Sequence, residues 1–177
     1  MKCNTTKYPY MHLRPIEPED LEFLYNIENN TQLWEVSNSD APYSRFALKQ
    51  YIASTSSIYE SGELRLIIDL AESGKESKPI GIIDLMNFSP LNARAEVGIA
   101  LLKEYRKQGY ASQALQQVEA FATSKLRIHC LYAWITSNNK DSISLFQNAA
   151  YNHVADLPEW HYIGGKYIET ALFQKIF

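Results

Sequence analysis

The chain has 177 residues, and its 46% hydrophobic and 21% charged content is ordinary for a globular protein. That length fits one domain spanning residues 1–177, which can bury a core without disulfides or a metal. The net charge of −3 and the pI near 5.8 argue against nucleic acid as a partner, because neutralising phosphates usually needs a basic face.

Targeting signals and metal-ligand patterns are not evident in the sequence. No stretch approaches the roughly 18 to 20 apolar residues of a membrane span, and the N-terminal MKCNTTKYPYMHLRP lacks the apolar core of a signal peptide. Cys3 and Cys130 are interpreted as reduced thiols, and the four histidines lack ligand spacing. We therefore expect a cytoplasmic protein with no metal and no membrane or nucleic-acid partner.

The first half of the chain mixes helical and strand patterns. A short strand is predicted at 11–14, followed by a helix at 18–28, where Pro18 suits the first turn. After a loop, apolar residues at helical spacing predict a second helix after Ser44, extending to residue 59. Three strands follow, with the polar turn AESGKESK between the first two, at 64–70, 79–88 and 93–102.

The second half begins with an amphipathic helix. Its predicted apolar face consists of Ala111, Ala114, Leu115, Val118, Phe121, Ala122 and Leu126. A buried strand is predicted at 129–135, and then a short helix at 140–150 that Asn138 or Asn139 caps. A closing hairpin turns at Gly164-Gly165. The sum is a mixed α/β fold, with an antiparallel front half and one strand–helix–strand unit.

The segment YRKQGYAS, residues 105–112, connects a strand to the long helix. A helix N-terminus offers unsatisfied N–H groups and partial positive charge, and Gly109 lets the backbone approach a ligand. Arg106 and Lys107 add charge, with Lys103 nearby. The pattern lacks the spacing of a Walker A or dinucleotide loop. From these residues alone it fits either an ordinary strand–helix connection or a phosphate-binding loop.

Several segments, in order, resemble the GNAT superfamily of N-acetyltransferases. RKQGYA fits Q/R-x-x-G-x-G/A, the acetyl-CoA pyrophosphate motif of that family, and it follows the strand AEVGIALL. LRPIEPEDLEFLY, PIGIIDLMNF and SNNKDSISLFQNAAY are similar to further family segments. EWHYIGGKYIETALFQKIF resembles the closing hairpin of the branch that holds spermidine and ribosomal-protein N-terminal acetyltransferases. The resemblance implies a GNAT-like fold, with a mixed, mostly antiparallel sheet of about seven strands and about four flanking helices.

The resemblance also implies that acetyl-CoA is the acetyl donor. The implied pyrophosphate cradle is the backbone of Arg106, Lys107, Gln108, Gly109, Tyr110, Ala111 and Ser112. The pantetheine would pair with Leu101, Leu102 and Lys103, where a backbone N–H polarises the thioester carbonyl. Asn139 and Ser142 match residues beside the pantetheine, although Asn139 also fits a plain helix cap.

For acetyl transfer to an amine, Glu96 is the candidate base that the resemblance supplies. An alkylamine is mostly protonated at neutral pH, so a proton must leave before attack. Glu96 equally fits a partly exposed strand carboxylate beside Arg94. Phe146 stands where many family members have a tyrosine that protonates the departing thiolate, so it is expected only to pack beside the sulfur. Three tyrosines are possible replacements for that acid: Tyr151, Tyr162 and Tyr167.

The acceptor is expected to meet the loop after the first helix and the final hairpin. Acidic and aromatic residues there would suit a polyamine: Glu28, Trp34, Glu35, Asp40, Trp160 and Tyr162. A protein N-terminus and an aminoglycoside are alternative amine acceptors. The missing tyrosine leaves room for an acetyl-CoA sensor or scaffold without efficient catalysis. A homodimer is a further possibility, because dimers are frequent among similar proteins.

Overall fold

The structure is a computed structural model that describes residues 10–34, 41–54, 56–71 and 76–177. Within these ranges the strands are β1 Tyr10–Pro15, β2 Leu64–Ala71, β3 Lys78–Ser89, β4 Arg94–Leu101, β5 Cys130–Thr136, β6 Asn152–Ile163 and β7 Lys166–Ile176. The α-helices are α1 Leu21–Glu28, α2 Thr31–Trp34, α3 Arg45–Ala53, α4 Ile58–Ser61, α5 Tyr110–Ser124 and α6 Lys140–Asn148. Single 3-10 turns lie at Pro18–Asp20 and Lys103–Tyr105. No helix in the described part of the chain is long and apolar enough to span a membrane.

The strands of the described chain form one seven-stranded sheet in the order β1-β2-β3-β4-β5-β7-β6. Every neighbouring pair is antiparallel except β4 and β5, which run parallel. These two strands pair only from Arg94–Cys130 to Glu96–Tyr132. Beyond that point β4 continues to Leu101 and β5 to Thr136, so a cleft opens within the sheet. The expected mixed, mostly antiparallel sheet is confirmed.

Apolar side chains alternate between the two faces of the sheet and form a core on each side. On β2, Ile68 belongs to the cluster that packs against α5, whereas Ile67 belongs to the cluster with α1 and α3. α5 buries Leu115 and Val118 as predicted. Phe121, expected on that face, is instead 37% exposed. Glu119, also on α5, is buried. Its charge is compensated there because Lys175 donates a 2.7 Å hydrogen bond to its Oε2.

The predicted helix between Ser44 and residue 59 is wrong, because the chain forms two separate helices there. α3 ends at Ala53, just before the polar run 54–57, and residue 55 lies outside the described ranges. α4 starts anew because the side chain of Ser57 accepts a hydrogen bond from the N–H of Tyr59. The predicted turn at Gly164-Gly165 is confirmed, with positive φ angles of 58° and 83°.

Candidate active site

The backbone of β4 presents polar groups to the cleft that separates it from β5. The N–H of Leu102 donates to the carbonyl of Ile80 at 2.9 Å, so the backbone N–H of Leu102 points towards β3. Backbone groups alternate sides along a strand, so those of Ile99 and Leu101 face the cleft. Leu102 was expected to pair with pantetheine, but its N–H is already bonded to β3. Leu101, whose backbone groups face the cleft, is better placed to pair with pantetheine.

The loop before α5 adopts a glycine-dependent turn. Gly109 has φ +83°, and Lys107 before it has φ +59°. A Cβ on Gly109 would meet only Gln113 Nε2 at 3.9 Å, so the dihedral angle and not crowding requires glycine here. The Nε of Arg106 donates to the carbonyl of Leu101 at 3.0 Å and ties the loop to the end of β4.

A cavity of about 500 Å³ lies in front of this loop. The N–H groups in the first turn of α5 have no acceptor within the helix, and this first turn lies at the cavity. We call it the donor cavity. The residues that line it and that the sequence predicts to bind acetyl-CoA are Leu101, Arg106, Lys107, Gly109, Ala111, Ser112, Asn139 and Ser142. The side chain of Gln108 instead donates to the carbonyl of Glu104 at 2.7 Å. Leu102, Lys103, Gln108 and Tyr110 line neither this cavity nor the neighbouring one described below.

Asn139 caps the N-terminus of α6 and also lies at the cleft. Its Oδ1 accepts a 3.1 Å hydrogen bond from the N–H of Ser142, so the predicted helix cap exists. Asn139 and Ser142 both line the donor cavity and the neighbouring cavity described next. A cap that uses Oδ1 leaves the side-chain NH₂ of Asn139 able to donate to a ligand. The two roles expected for Asn139 are thus compatible.

A second cavity, of about 490 Å³, adjoins the first and is called the acceptor cavity below. It shares with the donor cavity the lining residues Leu33, Ile99, Ala100, Asn139 and Ser142. Of the described residues, four carboxylates and one guanidinium line it, from Glu28, Glu63, Asp84, Glu96 and Arg65. The excess of negative charge suits a cationic ligand.

Arg65 holds two of these carboxylates together. Its Nε and Nη2 donate to Oδ1 and Oδ2 of Asp84 at 2.8 Å each, and its Nη1 contacts Oε1 of Glu28. The side chains of Arg65 and Glu28 are 20% and 14% exposed, so the cluster is largely withdrawn from water. The guanidinium also lies 5.5 Å above the ring of Tyr51. This charge cluster joins α1 to β2 and β3.

Glu96 lies on β4 at the edge of the acceptor cavity. Burial raises the pKa of this carboxyl group above its ordinary value, although a 2.9 Å hydrogen bond from Nδ2 of Asn87 acts in the opposite direction. Asn87 itself has φ +51° within an irregularity of β3. A carboxylate with a raised pKa is better matched to a proton-accepting role near neutral pH.

The structure separates the other predicted acceptor residues. Glu28 lines the acceptor cavity, but the indole of Trp34 turns back to donate to the carbonyl of Glu28 at 2.6 Å. Tyr162 is 67% exposed and packs against Tyr167, so it is not part of the cavity wall. Trp160 stacks on Trp134, which does line the cavity, with ring centroids 6.5 Å apart. Glu35 and Asp40 lie outside the described residues.

The three tyrosines considered as proton donors do not line the acceptor cavity. Tyr151 is buried edge-on against Phe146, with centroids 4.9 Å apart, and burial with the nearby Glu119 raises the pKa of its hydroxyl. Tyr162 and Tyr167 pack against each other at the surface, with their rings tilted by 57°. Phe146 lines the acceptor cavity but not the donor cavity, and its expected packing beside the cofactor sulfur stays a prediction. None of the three tyrosines replaces the hydroxyl that a tyrosine at position 146 would provide.

In the described part of the chain, neither a cysteine nor a cluster of metal-binding side chains belongs to this site. Cys130 is buried and accepts a 3.0 Å hydrogen bond from Nε2 of Gln174, and Cys3 lies outside the described residues. No group of three or more His, Cys, Asp or Glu side chains in the described ranges is arranged to hold a metal ion. The expectation of a metal-free protein stays a prediction.

Three residues that line the acceptor cavity were not among the sequence-predicted site residues: Arg65, Asp84 and His161. Asp84 offered a signal, because it is a lone carboxylate within the apolar run GIIDLM. Arg65 had no such signal, since its partners are 19 and 37 residues away. In the closing hairpin, His161 lines the acceptor cavity, whereas the sequence predicted its neighbour Tyr162 to do so.

The cleft between β4 and β5 and the glycine turn before α5 agree with the donor site that the sequence motif predicts, that of an acyltransferase of the GNAT type. In agreement, the family model for the acetyltransferase (GNAT) domain matches residues 11–151. The chain belongs to this family and is an acetyl-CoA-dependent N-acetyltransferase.

Curated relatives and solved structures agree with that assignment. Spermidine N(1)-acetyltransferase of Escherichia coli strain K12 is 23% identical over 165 residues, covering 92% of this chain and 85% of the relative. The enzyme of the same name from Vibrio cholerae is 23% identical over 155 residues, covering 88% and 86%. The crystal structure of spermidine N-acetyltransferase from Vibrio cholerae with CoA and spermine has a TM-score of 0.83 at 22% identity, covering 94% and 95%. At that identity the structural likeness shows the fold.

Proposed function

We propose that this protein transfers the acetyl group of acetyl-CoA directly to a primary amine of a polyamine such as spermidine. The observation that carries the proposal is the acceptor cavity beside the donor cavity, which is lined by four carboxylates and one guanidinium. A flexible polycation can satisfy several carboxylates at once, whereas a single amine cannot. The names of the curated relatives support the same acceptor class.

For the donor, the backbone around Gly109, Tyr110, Ala111 and Ser112 would hold the pyrophosphate. Here the unpaired N–H groups of α5 and its positive end meet two phosphate charges. The pantetheine would lie in the cleft along Ile99 and Leu101, as an added strand whose N–H and C=O groups complete β4. Asn139 and Ser142 would contact the arm from α6. One of the cleft-facing N–H groups would polarise the thioester carbonyl.

For the acceptor, the carboxylates of the acceptor cavity would bind the ammonium groups, and Glu96 would take a proton from the reacting one. An ammonium has no lone pair, so this deprotonation must precede attack on the thioester. The raised pKa of Glu96 supports this assignment, because it brings the carboxylate closer in basicity to the working pH. Water can bridge the carboxylate and the amine.

The test is release of CoA from acetyl-CoA, followed by thiol titration, across spermidine, spermine, aminoglycosides and short peptides. We expect release with the polyamines. Release with peptides or aminoglycosides alone would reassign the acceptor. Phe146 favours the alternative of a binding module, which predicts acetyl-CoA affinity by calorimetry without amine-dependent release.

We further propose that the protein works as a homo-oligomer in the cytoplasm. A dodecameric structure of spermidine N-acetyltransferase from Vibrio cholerae has the same fold, with a TM-score of 0.78 and 22% identity. Light scattering of the purified protein gives its mass in solution. A mass equal to one chain at micromolar concentration would contradict the proposal.

A further inference from the structure

Trp134 lies on the face of the sheet that carries the acceptor cavity. Where β4 and β5 are still paired, Glu96 lies directly opposite Tyr132. Side chains two residues apart on a strand share a face, so Trp134 points to the same side of the sheet as Glu96. Both residues line the acceptor cavity. Trp134 therefore forms an aromatic wall of this cavity where the cleft between the two strands begins.

Two neighbouring rings hold the indole of Trp134. Trp160 stacks on it, with the ring centroids 6.5 Å apart and the ring planes 22° apart. Tyr132 meets it edge-on, with centroids 6.5 Å apart and planes at 81°. Trp160 belongs to a bulge in which residues 158–160 of β6 oppose a single residue of β7, and Glu159 in its middle has φ +52°. With 36% of its surface exposed, Trp134 presents a ring of fixed orientation to a ligand.

Gly98 forms the floor between Trp134 and the charge cluster around Arg65. Gly98 pairs with Asp84 on β3. Counted from the last paired residues of β4 and β5, Gly98 and Trp134 are both two residues further along, so the row continues from β3 to β5. Asp84, Gly98 and Trp134 all line the acceptor cavity. Because glycine has no side chain, the middle of this row is open.

The length of the row can be taken from the spacing of the strands. Neighbouring strands are about 5 Å apart, and β4 diverges from β5 here, so the backbones of Asp84 and Trp134 are separated by about 10 Å or more. A Cβ added to Gly98 would meet Cε of Met86 at 3.1 Å, so even one methyl group would narrow the floor. The cavity is therefore an elongated slot with an acidic end and an aromatic end.

An unbranched chain with a positive charge near each end fits this slot. The carboxylates of the charge cluster attract an ammonium group at one end. At the other end an indole attracts an ammonium group by a cation–π contact, packs against its methylene groups and takes no proton from it. An amine on a branched carbon, as in a peptide N-terminus or an aminoglycoside ring, brings a substituent against an indole that its neighbours hold in place.

We propose that Trp134 determines acceptor specificity, a role that rests on the proposed acetyl transfer to a polyamine. The acceptor crosses β4 over Gly98, with its distal ammonium group at the charge cluster and its reacting amine against the indole of Trp134. This end is next to Glu96 and to the cleft in which the thioester is proposed to lie. Trp134 binds and directs the amine, and Glu96 takes the proton.

The test measures formation of acetylspermidine by mass spectrometry at varied spermidine and varied acetyl-CoA. In Trp134→Leu we expect KM for spermidine to rise about tenfold, because the ammonium group loses its aromatic contact, and KM for acetyl-CoA to stay as in wild type. Trp134→Phe keeps a smaller ring and should show a smaller rise. Tyr10→Leu is the matched control, because Tyr10 is an exposed ring stacked on His12 at the other edge of the sheet. Both of its KM values should equal those of wild type.

A monoamine of the same length shows which end of the acceptor lies at Trp134. An unbranched alkylamine has the reacting amine but no distal ammonium group, and its inhibition constant is measured against acetylspermidine formation. Trp134→Leu should raise that constant by the factor by which it raises KM for spermidine, whereas Glu28→Gln should leave it unchanged. A methyl branch beside the nitrogen should weaken inhibition of wild type more than it weakens inhibition of Trp134→Leu.

Thermal unfolding shows whether each variant folds. Trp160→Leu removes a ring that is 59% exposed and releases the indole of Trp134, so it should also raise KM for spermidine. This variant tests the proposal should Trp134→Leu fail to fold.

The outcomes distinguish this proposal from the proposed function. An active wild type whose KM for spermidine is the same in the folded Trp134 and Trp160 variants would overturn the role of Trp134 alone. An equal rise in KM for acetyl-CoA would make the effect structural, and a larger effect of Glu28→Gln than of Trp134→Leu on the monoamine would place the reacting amine at the charge cluster. Either result would likewise overturn it. A wild type that binds acetyl-CoA but forms no acetylspermidine would overturn both proposals.

Discussion

Arg65 and Asp84 form a two-point ion pair across neighbouring strands inside the acceptor cavity, with both N–O distances at 2.8 Å. Arg65 also contacts Glu28 on α1, so one guanidinium compensates two carboxylates that are largely withdrawn from water. This arrangement lets α1 lie close to the sheet and still present acidic groups to a ligand. It has consequences for stability as well as for recognition.

Replacing Arg65 should destabilise the fold strongly. Arg65→Met leaves Asp84 and Glu28 without their counter-charge, and breaking a buried pair costs about 3–5 kcal/mol. Urea unfolding at neutral pH measures the change in the free energy of unfolding. The matched control is Arg45→Met, since Arg45 and Glu22 form an exposed pair at 2.8 Å that water screens, so its loss should cost far less. Equal losses in the two variants would contradict a special role for the buried cluster.

Glu28 should contribute to acceptor affinity but not to donor affinity. Glu28→Gln removes one negative charge from the cavity, and hydrogen bonds to charged groups are worth about 1.5–3 kcal/mol, so KM for spermidine should rise about tenfold or more. Glu22→Gln is the control on the same helix, because Glu22 is exposed and paired with Arg45. Initial rates at varied spermidine and varied acetyl-CoA separate the two effects. An increase in KM for acetyl-CoA instead would place Glu28 at the donor.

The rate should depend on pH through Glu96. The ionised carboxylate is the active form of a base, so activity is present above its pKa and is lost as pH falls through it. Because burial raises the pKa of Glu96, the loss should begin at a higher pH than for an ordinary glutamate. Asn87→Gly tolerates the positive φ at that position and removes the hydrogen bond that lowers this pKa, so it should move the acidic limb further upward.

The pH dependence of kcat/KM for the wild type, Asn87→Gly and Glu96→Gln checks this prediction. Glu96→Gln should lower kcat by about 100-fold or more and remove the acidic limb. An acidic limb that persists unchanged in Glu96→Gln would assign it to another group.

Gly109→Asp should weaken acetyl-CoA binding strongly, because it adds bulk and negative charge where the pyrophosphate is expected. Gly164→Asp is the matched control: it also replaces a glycine at positive φ with open space around the Cβ, but in the β6–β7 turn. Calorimetry with acetyl-CoA gives the affinities, and thermal unfolding shows whether each variant folds. Unchanged affinity in folded Gly109→Asp would remove this loop from the donor site.

Local features of the site were visible in the sequence, whereas its assembly depends on long-range pairing. The loop at Gly109 and the cap at Asn139 each depend on a few consecutive residues. The divergence of β4 from β5 and the contact of Arg65 with Glu28 depend on residues distant in the chain. At the closing hairpin, the sequence predicted Tyr162 as an aromatic residue of the acceptor site, but His161, which follows the bulge around Glu159, lines the cavity instead. An irregularity of this kind has no dependable single-sequence signal.

The most direct measurement is mass spectrometry of the products after incubation with acetyl-CoA and spermidine, alongside thiol titration of CoA. We predict monoacetylated spermidine and CoA in equal amounts, formed only when protein, acetyl-CoA and spermidine are all present. CoA release without acetylated spermidine, or no release from a protein that binds acetyl-CoA, would contradict acetyl transfer to a polyamine.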